Sequence, residues 1–192
     1  MLKSYKNFWS LNTEEVLVAN VLRKNTKKEV EVFFPLNGQM KDIDLVLVNL
    51  KNKKTKTIQV KGSKAYEGNK KQIERYGYGS YSWIDIKKNA IDSSTADYFV
   101  FMIYTLEQFN ENKKGKIYIK HHTITIQTLE LKRKVNKYKT SSQGIYRFQF
   151  WINPKTFKAF DFVHFKDKTQ KEEDYSKYLD KKGFKKLNSE LN

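Results

Sequence analysis

The segment spanning residues 41–63 constrains the fold of this chain more than any other stretch. It reads KDIDLVLVNLKNKKTKTIQVKGS, with short apolar runs at 45–48 and 58–60 on either side of a polar, lysine-rich connector. Short runs of β-branched and leucine residues around a polar turn are typical of a β-hairpin. The first run shows no alternation, so we expect a strand that is covered on both faces.

Polar side chains occupy particular positions in this hairpin. Asp44 opens the first strand, while Gln59 and Lys61 alternate with apolar residues in the second and therefore share a face. Leaving a carboxylate, an amide and an ammonium on a buried strand is unfavourable unless they pair or bind a ligand. Together these groups suit a divalent cation beside a phosphate. Asp42 is the alternative carboxylate, because it lies only two positions earlier.

Asp44, followed on the next strand by Gln59-Val60-Lys61, resembles the active-site signature of the PD-(D/E)XK nuclease superfamily, with glutamine in place of the usual acidic residue. This D…QXK variant is similar to a branch that includes intron-homing and stand-alone restriction-like endonucleases. That branch also carries a glutamate on a preceding helix, in a pattern like GE-x-LVA-x-x-L. Residues 15–22, EVLVANVL, fit this pattern, and the resemblance extends over the first half of the chain.

The resemblance implies an α/β fold with a restriction-endonuclease-like core, in which helices flank a mixed central sheet. It also implies a Mg²⁺-dependent endonuclease acting on double-stranded DNA, in which Mn²⁺ can substitute, and a homodimer or higher oligomer. Asp44, Gln59 and Glu15 would hold the metal, and Lys61 would orient the attacking water. We expect the neighbouring Glu14 to face solvent.

Length and composition set further limits. A chain of 192 residues suffices for one compact domain, and we see neither an internal repeat nor a linker. We therefore predict a single nuclease-like domain over 1–192, with a catalytic core at 1–105 and an extension at 106–192 that carries target contacts or a dimer surface. The absence of cysteine excludes disulfides and thiolate zinc sites, and with no apolar leader or spanning run we expect a cytoplasmic protein.

The net charge of +17 favours a polyanionic partner, although an AT-rich genome would also enrich lysine. The segment 66–82, YEGNKKQIERYGYGSYS, is rich in glycine, tyrosine and lysine. We interpret it as a mobile loop beside the active site, with room for a short helix at 70–76. Basic and aromatic side chains suit contacts with phosphates and bases. The residues predicted to bind nucleic acid are Lys64, Lys70, Lys71, Arg75, Tyr76, Tyr78 and Tyr81.

Apolar periodicity predicts the remaining elements. A helix should begin at Glu14 after a cap at Asn12 or Thr13. Strands are expected at 28–34, 83–86, 98–104, 116–119, 145–152 and 157–165, and helices at 126–135 and 172–179.

Two other functions are compatible with the sequence. The glutamine in the motif allows a nuclease-like module that binds DNA without cutting it, and the charge alone allows a basic RNA-binding protein. Other chemistries lack their motifs, since the chain contains no HExxH, no phosphate loop and no GxSxG elbow. Adjacent residues of a strand point to opposite faces, so His121 and His122 are poorly placed to chelate one metal.

Overall fold

A computed structural model describes residues 13–35, 42–108, 117–162 and 165–192, except for the side chains of Lys64, Glu107, Gln108, Ile117 and Tyr118. Helices in these ranges are α1 (Thr13–Asn25), α2 (Lys70–Tyr76), α3 (Lys88–Asp92), α4 (Thr128–Val135) and α5 (Lys181–Leu191). Strands are β1 (Val30–Phe33), β2 (Leu45–Asn49), β3 (Thr55–Gly62), β4 (Lys64–Glu67), β5 (Ser80–Lys87), β6 (Tyr98–Gln108), β7 (Ile117–Gln127), β8 (Ile145–Asn153), β9 (Lys158–Asp161) and β10 (Glu173–Asp174).

The first sheet is mixed and has the strand order β1-β2-β3-β6-β7. The predicted hairpin of β2 and β3 is antiparallel, whereas β3 and β6 run parallel, with Gln59 opposite Phe99 and Lys61 opposite Phe101. A parallel pair requires a long crossover connection. Here residues 63–97 form that crossover and contain β4, α2, β5 and α3. The α/β class and the mixed sheet expected from the sequence are therefore present.

Helices α1 and α5 cover one face of the first sheet. Ile58 and Val60 of β3 join Val18 and Leu22 of α1, and Leu187 of α5, in one apolar cluster. The segment that the sequence assigned to an extension thus contributes directly to this layer, through α5 and through β7 at the sheet edge. Because Ile58 and Val60 point toward the helices, Gln59 and Lys61 point to the opposite face.

A second, antiparallel sheet with the order β10-β9-β8-β5-β4 covers that opposite face over β6 and β7. The two sheets meet through aromatic side chains. The Phe101 ring of β6 lies 5.3 Å from the ring centroids of both Phe148 and Phe150 of β8. Ile84 of β5 and Ile124 of β7 complete this part of the core. Chain order explains the connection, since β3 leads through Ser63 directly into β4 and so passes from one sheet to the other.

Strand β2 differs from the prediction of a strand covered on both faces. Leu45, Leu47 and Asn49 are buried, but Val46 and Val48 are only half-buried. The second sheet packs against β6 and β7 rather than against β2, so only the helix-facing side of β2 is fully covered.

The prediction of a mobile loop at 66–82 is wrong, although the short helix within it is confirmed. The segment forms β4, α2 and the start of β5, and a capping box between Asn69 and Gln72 begins the helix. Its glycines serve close packing against Trp151. A Cβ atom at Gly68 would lie 2.4 Å from the Trp151 ring, and one at Gly79 would lie 2.2 Å from the carbonyl oxygen of Ile152.

The C-terminal helix was also predicted at the wrong place. Residues 172–179 contain β10 and a 3₁₀ turn at Ser176–Tyr178, and the helix is α5, which lies in the basic stretch after them. Phe184, Leu187 and Leu191 recur at helical spacing among the lysines and are buried, which explains why this stretch is helical. The strands predicted at 28–34, 83–86, 98–104 and 145–152 and the helices at 13–25 and 128–135 are confirmed, with shifts at their ends. The strand predicted at 116–119 is the start of the longer β7, and within 157–165 the described strand is β9. Residues 116, 163 and 164 of these predictions lie outside the described ranges. Asn12, the alternative helix cap, lies outside the described residues. None of the helices in the described ranges is long and apolar enough to cross a membrane.

Candidate active site

Asp44 is fixed at the entrance to β2 by the neighbouring strand β3. Its Oδ2 atom accepts hydrogen bonds from Gln59 Nε2 at 2.5 Å and from the Val60 backbone N–H at 2.6 Å. Its own backbone N–H donates to the Ile58 carbonyl oxygen at 2.8 Å. The side chain is half-buried. Of the two aspartates that the sequence left open, the structure thus places Asp44, rather than Asp42, against the Gln59 side chain.

Gln59 is only 5% exposed, so its amide sits in the interior beside Asp44. A charge-assisted hydrogen bond of this kind is stronger than one between neutral groups. With the amide nitrogen turned toward Asp44, the amide oxygen of Gln59 points away from that carboxylate. If the amide turns over, its oxygen and the half-buried Asp44 carboxylate provide two oxygen ligands of the kind that Mg²⁺ prefers.

Lys61 follows Gln59 on the same face of β3. Side chains two positions apart in a strand are separated by roughly 6.6 Å, and the flexible lysine stem is long enough to span this gap. Lys61 is half-buried, so its ammonium group can reach solvent or a phosphate at the end of the strand. The structure thus brings Asp44 and Gln59 into contact, and strand alternation places Lys61 on the same face of β3 as Gln59.

The two glutamates in the first turn of α1 are both half-buried and both make contacts. Glu15 precedes the buried Val18 and Ala19 by three and four positions, so it lies on the side of the helix that packs on the sheet. Glu14 lies against the end of β3: a Cβ atom at Gly62 would come within 2.3 Å of Glu14 Cγ.

Sequence reasoning expected Glu14 in solvent, and the structure corrects this. Burial, and after it the nearby Glu14 charge, raises the pKa of Tyr104 on β6, so Glu14 lies near β6 as well as near the end of β3. A signal was available in the sequence, because a glycine directly after Lys61 often marks the close approach of another chain segment. Glu14 meets the end of β3, whereas Glu15 lies on the helix-covered face opposite to Gln59, so Glu14 is the better placed of the two candidates for the second negative charge.

A surface cleft of ≈ 570 Å³ begins at this end of β3. It is bordered by Glu14, Gly62 and Ser63 on one side and by side chains of the second sheet on the other. Those side chains are Tyr66, Trp83 and Asp85. The cleft thus leads from the strand that carries Gln59 and Lys61 to the outer face of the second sheet.

Asp85 on the cleft wall is held by two partners. Arg147 donates to both of its carboxylate oxygens at 3.0 and 3.2 Å, and Trp83 Nε1 donates at 2.7 Å. The hydrogen bond from Arg147 is the main reason why the pKa of Asp85 lies below its usual value. These contacts fix the positions of Asp85 and Trp83 within the cleft.

The residues predicted to bind nucleic acid do not form one uniform surface. Lys70 and Lys71 are exposed on α2, whereas Arg75 forms a 2.9 Å salt bridge with Glu172. Tyr76 is half-buried, and its ring lies 5.7 Å from that of Trp151. Tyr76 therefore contributes to packing of α2 on the second sheet.

Two further predicted contacts are also engaged within the protein. The Tyr81 ring stacks on that of Tyr66 at 5.1 Å, and Lys155 Nζ lies 4.5 Å from the centroid of the Tyr78 ring. For Lys64 the structure gives the backbone, at the start of β4 opposite Trp83, but not the side chain. Sequence reasoning named Tyr81 but missed Tyr66 and Trp83, which border the cleft.

The donor set fits a magnesium ion bound partly by substrate and water. Within residues 13–35, 42–108, 117–162 and 165–192, no group of three or more His, Cys, Asp or Glu side chains gathers as a ready-made metal cage. Mg²⁺ commonly needs only one or two carboxylates, with waters and substrate phosphate completing its shell. Asp44, the Gln59 oxygen and a glutamate of α1 match that requirement in chemistry.

His121 and His122, the two histidines in the part of the chain that the structure describes, are not gathered with other metal ligands. His121 is exposed and His122 is buried, so the adjacent pair points to opposite faces of β7 as expected. His122 Nδ1 lies 2.7 Å from Asp180 Oδ2. That pair connects β7 to the start of α5 and borders a cleft that Asp44 does not line.

Comparison with protein-family models, with curated proteins and with solved structures finds no match for this chain. Its function must therefore be argued from its own residues.

Proposed function

We propose that this chain is a metal-dependent endodeoxyribonuclease that hydrolyses phosphodiester bonds of double-stranded DNA. The observation that carries the proposal is the fixed Asp44 carboxylate, held by Gln59 and by the Val60 backbone, with Lys61 on the same face of β3. The parallel pairing of β3 with β6 and the α1 layer behind it agree with the core that the resemblance implies. The net charge of +17 suits a DNA partner.

Each residue has a defined task in this proposal. Asp44 and the Gln59 oxygen would hold Mg²⁺, and a glutamate of α1 would add the second negative charge directly or through water. The ion would supply Lewis-acid chemistry for phosphodiester hydrolysis. Lys61 would orient the attacking water for in-line attack and offset negative charge on the phosphate in the transition state. Mn²⁺ should replace Mg²⁺, because both accept oxygen ligands.

The hydrogen bond from Gln59 to Asp44 also favours a second candidate function. By donating to Asp44, the Gln59 amide could stabilise the fold without either residue binding a metal. The chain would then be a nuclease-like module that binds DNA but does not cut it. Both functions predict salt-sensitive DNA binding. Only the nuclease predicts that cutting depends on Lys61.

A cleavage assay on supercoiled plasmid in Mg²⁺, Mn²⁺ or EDTA tests the proposal. We expect metal-dependent cutting that Asp44→Asn abolishes and that Lys61→Met lowers by about 10²–10³-fold, the usual loss when one transition-state contact is removed. Asp42→Asn is the matched control and should cut like the wild type. Thermal melting and DNA-binding measurements would show that the variants are folded.

Tight DNA binding without cutting by the wild type would favour the non-cleaving module. Cutting that survives both Asp44→Asn and Lys61→Met would contradict the assigned site. Cleavage of both strands at one site further predicts a homodimer, which sedimentation with and without DNA can measure.

A further inference from the structure

Two large aromatic side chains are exposed on neighbouring strands of the second sheet. Tyr66 on β4 is 38% exposed and Trp83 on β5 is 36% exposed. Single exposed apolar residues are common and need no explanation. These two, however, border the same cleft, and that cleft begins at Gly62, directly after Lys61.

Tyr66 is the outer end of a row of rings. It pairs with Tyr81 across the strands, and the two rings stack at 5.1 Å and 20°. Tyr81 contacts Phe162 at 6.3 Å, and Phe162 stacks on Tyr76 at 5.6 Å. A ring supported in this way loses little conformational freedom when another flat ring stacks on it.

Trp83 is held with similar firmness. Its indole N–H donates to Asp85, and Arg147 lies 4.3 Å above its ring while also binding Asp85. The Arg147 guanidinium balances the negative charge of Asp85 and lies as a flat cationic group over the Trp83 indole. Aromatic rings combined with arginine are the groups that proteins use to stack unpaired bases.

The rings lie within reach of a short piece of nucleic acid that starts at the candidate active site. Tyr66 is five positions after Lys61, on two strands joined at Ser63, so their Cα atoms are at most roughly 16 Å apart. At 3.4 Å per nucleotide this is about five base steps. A DNA strand whose phosphate lies at Lys61 could therefore extend its bases into the cleft.

We propose that Tyr66 and Trp83 form a stacking platform for unpaired DNA bases that lie close to the phosphate being cut. The inference rests on the proposed nuclease function and adds its substrate class: DNA with a single-stranded segment beside the cleavage position. Bases inside a duplex are already stacked and present only their edges, so these rings can hold only bases that are unpaired. The positive net charge of the chain favours the same strand through its phosphates.

Binding measured without cleavage tests the platform. The full chain is titrated in EDTA against three fluorescent DNAs: oligo(dT), a duplex of equal length, and an abasic strand with the same number of phosphates. We expect Tyr66→Ala and Trp83→Ala each to weaken oligo(dT) binding by about 5- to 150-fold, the usual effect of losing one stacked base. Their binding to the duplex and to the abasic strand should not change.

Two control variants sharpen the measurement. Tyr66→Phe keeps the ring and should bind oligo(dT) like the wild type. Phe33→Ala removes an aromatic ring that is 49% exposed on β1, at the edge of the other sheet, and should have no effect. Melting curves would show whether the four variants are folded, since all of these side chains are at least one-third exposed.

Oligo(dT) binding by both alanine variants at wild-type strength would overturn the platform, as would an equal loss of binding to the abasic strand. The nuclease proposal is tested separately, with Asp44→Asn. Selective loss of oligo(dT) binding in a protein that never cuts DNA would keep the platform and reject the catalytic role. If the protein cuts DNA and both alanine variants cut and bind oligo(dT) like the wild type, the catalytic role would stand and the platform would be rejected.

Discussion

The substitution Gln59→Glu would place a second carboxylate against Asp44 and so test whether this pair is built to hold a cation. In the native protein the Gln59 amide nitrogen lies 2.5 Å from Asp44 Oδ2, and the Gln59 side chain is almost fully buried. The introduced carboxylate removes a hydrogen bond to a charged group, which contributes about 1.5–3 kcal/mol. It also adds repulsion between two like charges, about 4 kcal/mol at 4 Å with an effective dielectric constant of about 20.

Protonation limits this penalty and gives it a pH dependence. Burial and the Asp44 charge should raise the pKa of the introduced carboxyl above its unfolded value of about 4.3. The repulsion is therefore absent when the pH is below that value and grows as the pH rises toward the folded pKa. We expect Gln59→Glu to lower the free energy of unfolding by about 3–5 kcal/mol at pH 8, and by much less at pH 4.5.

A divalent cation should reverse the loss at pH 8. A ligand that binds only the folded protein adds about 2.7 kcal/mol of stability at a concentration 100 times its Kd. Urea denaturation of the variant at pH 8, in EDTA and in increasing Mg²⁺, measures this directly. Gln59→Met is the matched control, since it removes the same hydrogen bond without adding charge, and its destabilisation should vary much less with pH and Mg²⁺ than that of Gln59→Glu.

Equal destabilisation of Gln59→Glu at pH 4.5 and pH 8 would refute the reasoning about charge. A loss at pH 8 that Mg²⁺ does not reverse would refute the assignment of Asp44 and residue 59 to a metal site.

Three further predictions concern packing, the helix glutamates and the ion pair between Lys134 and Glu173. Gly79→Ala should destabilise the fold by about 1–3 kcal/mol in urea denaturation, because its Cβ would lie 2.2 Å from a backbone carbonyl. Gly62→Ala should displace Glu14 and lower Mg²⁺-dependent cleavage if Glu14 supplies the second charge, whereas Glu15→Gln should do so if Glu15 does. Burial raises the pKa of Glu173, whereas Lys134 lowers it. The net result is a pKa below the usual value for a glutamate. The stabilisation from this ion pair is present above pH ~4.3 and lost as the pH falls through the folded pKa. Because Lys137 and Gln170 still contact Glu173, Lys134→Met should cost about 1.5–3 kcal/mol at pH 7 in urea denaturation and less at pH 4.

The candidate site was predictable from the sequence to the extent that it depends on local alternation. Alternation in β3 placed Gln59 and Lys61 on one face, and the hairpin brought Asp44 beside them. The choice between Glu14 and Glu15 was not accessible, because a rotation of α1 by one residue decides which side chain meets Gly62. That rotation is set by the packing of the whole helix on the sheet.

The second sheet was harder to predict for a different reason. Glycine and tyrosine in residues 66–82 resemble a loop in composition, but Gly68 and Gly79 are required by contact with Trp151, more than 70 positions later in the chain. Likewise, α5 is helical because Phe184 and Leu187 meet the first sheet, although lysines surround them in the sequence. Contacts between distant segments override composition in both places.

The most direct test of the central claim uses the absence of cysteine in this chain. Asp44→Cys replaces the proposed oxygen ligand with the only thiol in the protein, and thiolates favour softer metals over Mg²⁺. We predict that this variant does not cut plasmid DNA in Mg²⁺ and regains cutting when Cd²⁺ is supplied, whereas Asp44→Ala regains none. Cutting by Asp44→Cys in Mg²⁺ at the wild-type rate, or identical behaviour of the two variants in every metal, would contradict the account.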